Sequence, residues 1–167
     1  MSEVTASPRP LGRRWRESAA STGGRVRPVA YASCVAELDY AFVADFARVE
    51  PNGTLTAISA SWTNLVVRSF PAGRRLAIAG RVRGHIDEPS IPVRVTMSGP
   101  DAKVIFTFDF TVSPGESAQP YGEGLIGHLF AIDTMMPLTS PGVHSIEVFI
   151  DNVLARTLKF EARQGLP

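Results

Sequence analysis

Three histidines are the chain's readiest groups for acid–base or metal chemistry. His85 stands close to Asp87 and Glu88, and imidazole with carboxylates is a common ligand set for divalent metals. One reading is therefore a metal-dependent enzyme around His85. The other is a polar turn between strands, because an H-x-D-E run has no ligand geometry of its own. His128 and His144 fall on apolar faces of predicted strands. Were those strands neighbours, the two imidazoles would meet, with Asp109 or Glu147 to orient one. The competing reading is a pair of core histidines, each with one ring nitrogen satisfied. Nucleophiles find no such company. There is no G-x-S-x-G elbow. Ser113 and Ser117 share a loop with no histidine near in sequence, and Cys34 has no neighbour that would lower its pKa. Gly122-Glu123-Gly124 puts a carboxylate where a phosphate cradle needs bare amides. No catalytic residue, metal or cofactor is expected, and the chain reads as a non-enzyme.

Cations offer a different chemistry. Arg75, Arg81, Arg83 and Arg94 would form a basic stripe if their strands were adjacent. With Trp62 and Tyr40 nearby, that stripe would bind single-stranded nucleic acid by charge and stacking. The alternative is an outward, solvated face that discourages edge pairing. A second basic cluster lies in residues 1–30, which hold six arginines against two glutamates; Arg13, Arg14 and Arg16 are its centre. The rest of the chain has 11 basic and 14 acidic side chains. A basic arm on a mildly acidic body attracts acidic surfaces through the arm. Met135-Met136-Pro137-Leu138 is an apolar run in a predicted loop. It reads either as a contact surface suited to adaptable methionines or as a plug over one end of the fold.

These side chains must be positioned by strands. Leu38–Pro71 reads as a long first hairpin, turning at Pro51-Asn52-Gly53 and bending again at Trp62. Leu38, Tyr40, Phe42, Ala44 and Phe46 alternate onto one face of its first arm, the period of a half-buried strand. Strands are also expected over 74–83, 93–98, 104–112, 125–132, 144–150 and 153–162. The run 104–112, with Phe106, Phe108 and Phe110 on one face, reads as a central core strand. Asp151-Asn152 has the two-residue length of a type I′ turn. Loops are expected over 84–92, 113–123 and 133–142.

The sum is an all-β fold, an antiparallel two-sheet sandwich of about eight strands in the immunoglobulin-like manner, with a closed barrel as the alternative. The predicted organisation is a flexible basic arm (1–30), a sandwich domain (31–163) and a short tail (164–167). The lone cysteine excludes an internal disulfide and suits a reducing compartment. Arg13-Arg14 opens like an export signal but no apolar run follows, and no window is long enough to span a bilayer. A cytoplasmic protein is expected.

Three pieces carry a family resemblance: Ala44-Asp45 with Gly53-Thr54-Leu55, then Phe70-Pro71, then Pro141-Gly142-Val143-His144. Together, over roughly Leu38 to Ala162, they resemble a family of small bacterial proteins known only as a domain of unknown function. The resemblance implies a β-sandwich and brings no activity or site residue. This chain has Ser59 where that family commonly has glycine, and His144 where it commonly has an aromatic residue. The expected role is an interaction or structural module, with a protein partner or a second copy of itself, or a subunit of a bacterial or phage-related assembly. Nucleic-acid binding through the arm and the arginine stripe is the alternative.

Overall fold

The computed structural model describes residues 36–165, apart from 89 and 117. The expectations for the arm (Arg13, Arg14 and Arg16 included), for Cys34 and for Ser117 lie outside the described residues. Ten strands follow in order: β1 (Glu37–Ala44), β2 (Phe46–Val49), β3 (Leu55–Ile58), β4 (Asn64–Val67), β5 (Ala72–His85), β6 (Ile91–Ser98), β7 (Val104–Val112), β8 (Leu125–Leu138), β9 (Gly142–Ile150) and β10 (Val153–Gln164). They form three sheets, ordered β1-β5-β8, β4-β10-β9-β6-β7 and β2-β3. No helix among the described residues is long and apolar enough to cross a membrane.

The fold is all-β as expected, but eight strands became ten and two sheets became three. The reason lies in the first hairpin, whose two arms both break. One arm bends at Asp45, separating β1 from β2. The other breaks after β3, where Ser59 and Ser61 both hold positive φ (52° and 63°). Two backbone bonds lock the break: Asp45 N–H to Ile58 O (3.1 Å) and Ser61 N–H to Val43 O (2.7 Å). The hairpin tip, β2-β3, thereby detaches as a small sheet. The far arm then runs parallel to β10 as β4, so the sheets are not purely antiparallel. The left-handed φ at Ser59 is a conformation that glycine adopts without strain, in keeping with the glycine that the resemblance implies at this position.

The two larger sheets share one core. Leu76, Ile78 and Val82 of β5 meet Ile91, Val93, Val95 and Met97 of β6, with Ile146, Val148 and Ile150 of β9 beside them. No ladder joins the two sheets, so the arrangement is a sandwich and not a barrel. The other face of β5 is buried as well. Ala77 and Ala79 pack with Ala44, Ala47, Phe42 and Leu55 under the β2-β3 hairpin.

Three expectations about faces and positions need correction. In β1 the register slips between Leu38 and Tyr40, making Asp39 an extra residue. That bulge reverses the alternation, as an inserted residue must. Leu38, Ala41 and Val43 therefore face the main core, whereas Phe42 and Ala44 face the hairpin. The phenylalanine strand β7 lies at a sheet edge, not at the centre: alternation reports a face but not a place in the strand order. The predicted loop over 133–138 is instead the second half of β8, paired with Ala72–Ala77. Pro137 is tolerated there because β8 is an edge strand. Met136 and Leu138 are consequently buried in the core, while Met135 is 63 % exposed.

Both hairpin turns match their sequence. Gly53 holds φ at +76°, and Asp151 and Asn152 both have positive φ, the backbone of a type I′ turn. Gly80 marks the tightest packing in β5: an added Cβ would lie 2.5 Å from Tyr40 O and 2.7 Å from the Phe130 ring. Gly80→Ala is expected to cost about 1–3 kcal/mol through overpacking, read as a lower midpoint in urea unfolding with an unchanged slope.

Candidate functional site

The side chains singled out for chemistry do not converge. His128 sits on β8 opposite Val82, while His144 opens β9 beyond the Ser98–Ser145 pair, at the other end of the sandwich. Both are fully buried. His144 stacks on Phe160 with ring centroids 5.3 Å apart and planes 11° from parallel, and its Nδ1 lies 3.1 Å from Gly142 O. The imidazole thus fills the place of an aromatic ring. Trp62 closes the cluster, edge-on to Phe160 at 5.2 Å. His128 has the Ser113 backbone as a polar neighbour but makes no well-formed hydrogen bond. Asp109 and Glu147 attend neither histidine. Asp109 pairs with Arg94, and Glu147 lies opposite Thr96 and Thr157.

Around His85 the chain makes a turn. Its Nδ1 faces the amide (3.3 Å) and carboxylate (3.2 Å) of Asp87, and Glu88 N–H donates to its backbone carbonyl at 2.9 Å. Among the described residues no three His, Cys, Asp or Glu side chains are grouped to hold a metal.

The arginine stripe is not assembled. Arg75, Arg81 and Arg83 share β5, but Arg94 belongs to β6 in the opposite sheet. Each is matched by a carboxylate: Arg75 with Asp133 (2.7 Å), Arg81 with Asp39 (2.6 Å), Arg83 with Glu37, and Arg94 with Asp109 (2.6 Å). The bulge at Asp39 aims that carboxylate at both Arg81 and Arg83, the latter at 3.5 Å. Hydrogen bonding to Asp133 raises the Arg75 pKa, and the same bond holds the Asp133 carboxyl below its ordinary value. Trp62 is a core residue and Tyr40 is capped by the Arg81 guanidinium, 5.6 Å from the ring centre.

Two surface features remain. An open cleft of about 580 Å³ lies between the β2-β3 hairpin and the 113–124 loop, with Tyr40, Arg81 and Tyr121 in its wall. The second is the edge of β7, which pairs with no further strand among the described residues and which the alternation pattern did not reveal. Its outer groups can be assigned. Pro92 of β6 lies opposite Thr111. Pro92 has no N–H, and its carbonyl is taken on the β9 side by Asp151 N–H (3.1 Å). The Pro92–Thr111 pair is therefore non-hydrogen-bonded, and so by alternation are Arg94–Asp109 and Thr96–Thr107. The amides and carbonyls of Thr107, Asp109 and Thr111 therefore point away from β6, to a side where no described strand pairs with them. Beside them Phe108 is 43 % exposed, its ring edge-on to Phe106 at 5.9 Å.

A family model described as a family of unknown function, DUF6941, matches residues 39–163. The chain belongs to this family. That agrees in extent with the resemblance carried by the turn and core residues. No curated protein matches this DUF6941 member. Solved structures similar to part of it include the following two. One is the alkylpurine DNA glycosylase AlkC of Pseudomonas fluorescens, bound to DNA with an abasic-site analogue (TM-score 0.42, 11 % identity, 79 % of this chain and 31 % of that chain). The DUF6941 chain thus spans under a third of that enzyme. The other is an immunoglobulin-like protein from Pseudomonas aeruginosa (TM-score 0.41, 14 % identity, 79 % of this chain and 99 % of that chain).

The two core histidines set a pH dependence. Burial pushes both imidazoles below their ordinary value, against small opposing effects of the Ser113 and Gly142 backbone. The unfolded chain takes up these protons near pH 6.5 and the folded chain only at lower pH. Their contribution is therefore intact above about pH 6.5 and declines as pH falls, with a limiting slope of about 1.4 kcal/mol per pH unit per histidine. Thermal melts are expected to drop between about pH 7.5 and 5.5. His144→Phe, which keeps the stack on Phe160 and removes the buried Nε2, should raise stability, and more at the acid end. An equal effect at both pH values would contradict the assignment.

Proposed function

We propose that this DUF6941 member is a non-enzymatic β-sandwich interaction module, and that its contact surface is the free edge of β7. A partner adds to that edge as an extended strand, bonding to the outward backbone groups of Thr107, Asp109 and Thr111. The observation that carries this reading is the lack of protection on a long apolar edge. Natural sheets blunt their edges by shortness, bulges, proline or charge. β4 has four residues, β1 is bulged at Asp39, and β8 carries Pro137. β7 is also irregular near its start, at Ile105, but the seven residues Phe106–Val112 that follow are regular, against five (Tyr40–Ala44) after the bulge in β1. Its one charge, Asp109, is drawn back onto Arg94. Ion-paired arginines and histidines buried at opposite ends support a binding role over a catalytic one.

Thr107→Pro tests it. The lost N–H is one that points to solvent, so the fold should tolerate the change while strand addition is blocked. With wild-type and variant chains as bait in extracts of the native host, captured protein is expected to fall at least about tenfold while the melting temperature stays close to wild type. Undiminished capture by a folded variant refutes the β7 edge as the surface.

A further inference from the structure

Read outward from Phe108, β7 is nearly the same in both directions: Val104-Ile105-Phe106-Thr107-Phe108 one way, Val112-Thr111-Phe110-Asp109-Phe108 the other. Phenylalanine meets phenylalanine and valine meets valine about that centre, and Thr107 meets Asp109. We infer that the strand accepted by the β7 edge is β7 of a second copy of this chain, antiparallel, with the two-fold axis at Phe108. This deepens the reading above and rests on it.

The backbone parity fits that axis. Thr107 and Asp109 turn their amides and carbonyls outward, so Thr107 of each copy forms a hydrogen-bonded pair with Asp109 of the other. Phe108 then faces its own mate in a non-hydrogen-bonded pair, the kind that brings side chains closest. On the core side, Phe106 falls opposite Phe110 of the second copy, continuing the row that starts at Met97, and the exposed Phe108 rings cover one another. On the outer side, no like charges meet. Asp109, already neutralised by Arg94, meets the Thr107 hydroxyl of its mate and not a second carboxylate. Thr96 and Thr107 hydroxyls lie 3.3 Å apart within one copy, so the row across the interface runs Arg94, Asp109, Thr107, Thr96 without a like-charge clash. A register shifted by two residues in one copy loses the match of phenylalanines or sets charge against ring. Because the contact is its own mirror under the two-fold, it consumes both free edges and closes at two copies.

Engineered cysteines read the register directly. In a Cys34→Ser background, Phe108→Cys should form an intermolecular disulfide under mild oxidation, since non-hydrogen-bonded partners lie within disulfide reach. Phe106→Cys alone should not, whereas Phe106→Cys mixed with Phe110→Cys should. Sedimentation equilibrium at roughly 100 µM, suited to the small interface one strand supplies, should give the mass of two chains for wild type and of one chain for Thr107→Pro. A single-chain mass for wild type, with no Phe108→Cys cross-link, overturns self-pairing. If Thr107→Pro still abolishes capture from host extract in that case, the edge stands as a contact surface and only the identity of its partner falls. Phe106→Cys linking to itself as readily as Phe108→Cys overturns the register.

Discussion

Everything in this fold depends on β5 being buried on both faces at once. Leu76, Ile78 and Val82 point into the sandwich, and Ala77 and Ala79 point under the β2-β3 hairpin. The two faces use opposite solutions. Inward, branched side chains fill the space between sheets. Outward, methyl groups from Ala44, Ala47, Ala77, Ala79 and Ala131 let a second layer of backbone come close. Larger residues at these positions would lift the hairpin off, and the bends at Asp45 and Ser59 would lose their purpose. Gly80 extends the same logic to β1, where Tyr40 O approaches too near for any Cβ. The hairpin is therefore held by smallness on one side and by strained serines at its base on the other.

How far the sequence carried the fold follows from what alternation can encode. β5, β6 and β9 were legible because their apolar residues recur with a period of two, β10 because the same period holds beyond its irregularity between Leu154 and Arg156, and the turns at Asn52-Gly53 and Asp151-Asn152 fixed two hairpin connections. The bulge at Asp39 was not legible. Leu38, Tyr40 and Phe42 alternate perfectly in sequence, and only pairing with β5 shows that one residue is extra. The same limit hid the position of β7. Three phenylalanines on one face are compatible with a central strand or with an edge whose rings cover the mouth of the sandwich, as Phe110 does against Phe130 at 5.6 Å. For β8, methionine and proline suggested a loop, yet an edge strand needs no N–H on its outer side and Pro137 costs it little.

The candidate site was harder still, because its logic is pairwise. Arginine positions on β5 are visible in one dimension; the partners of Arg81, Arg83 and Arg75 lie 42 to 58 residues away, at Asp39, Glu37 and Asp133. Carboxylates at such separations give no local signal. Once matched, they turn a basic stripe into a nearly neutral, hydrogen-bonded lattice on the outer face. Both histidine stations follow from packing, not proximity. His144 substitutes for a ring in an aromatic stack with Phe160 and Trp62, and its burial pushes its pKa below the ordinary imidazole value. A residue type that suggested catalysis is there for its shape.

With the β5 and β6 arginines paired to carboxylates, the longest row of backbone groups not taken up by a described neighbouring strand lies along β7. A β-sandwich cannot close its own edges, and each must be managed by some local device. β7 carries none of the devices of β4 and β8, and the self-pairing we propose takes their place. Pro92 fixes which amides face outward, Arg94 withdraws the single charge from the rim, and the order of side chains is symmetric about one ring. None of these three features improves the packing of the isolated sandwich. Arg94 and Asp109 are exposed, and Phe108 leaves much of its ring in water. In the self-pairing we propose, a second strand of matching sequence lies alongside and gives all three features one physical rationale, which places the recognition at the edge and not in the interior.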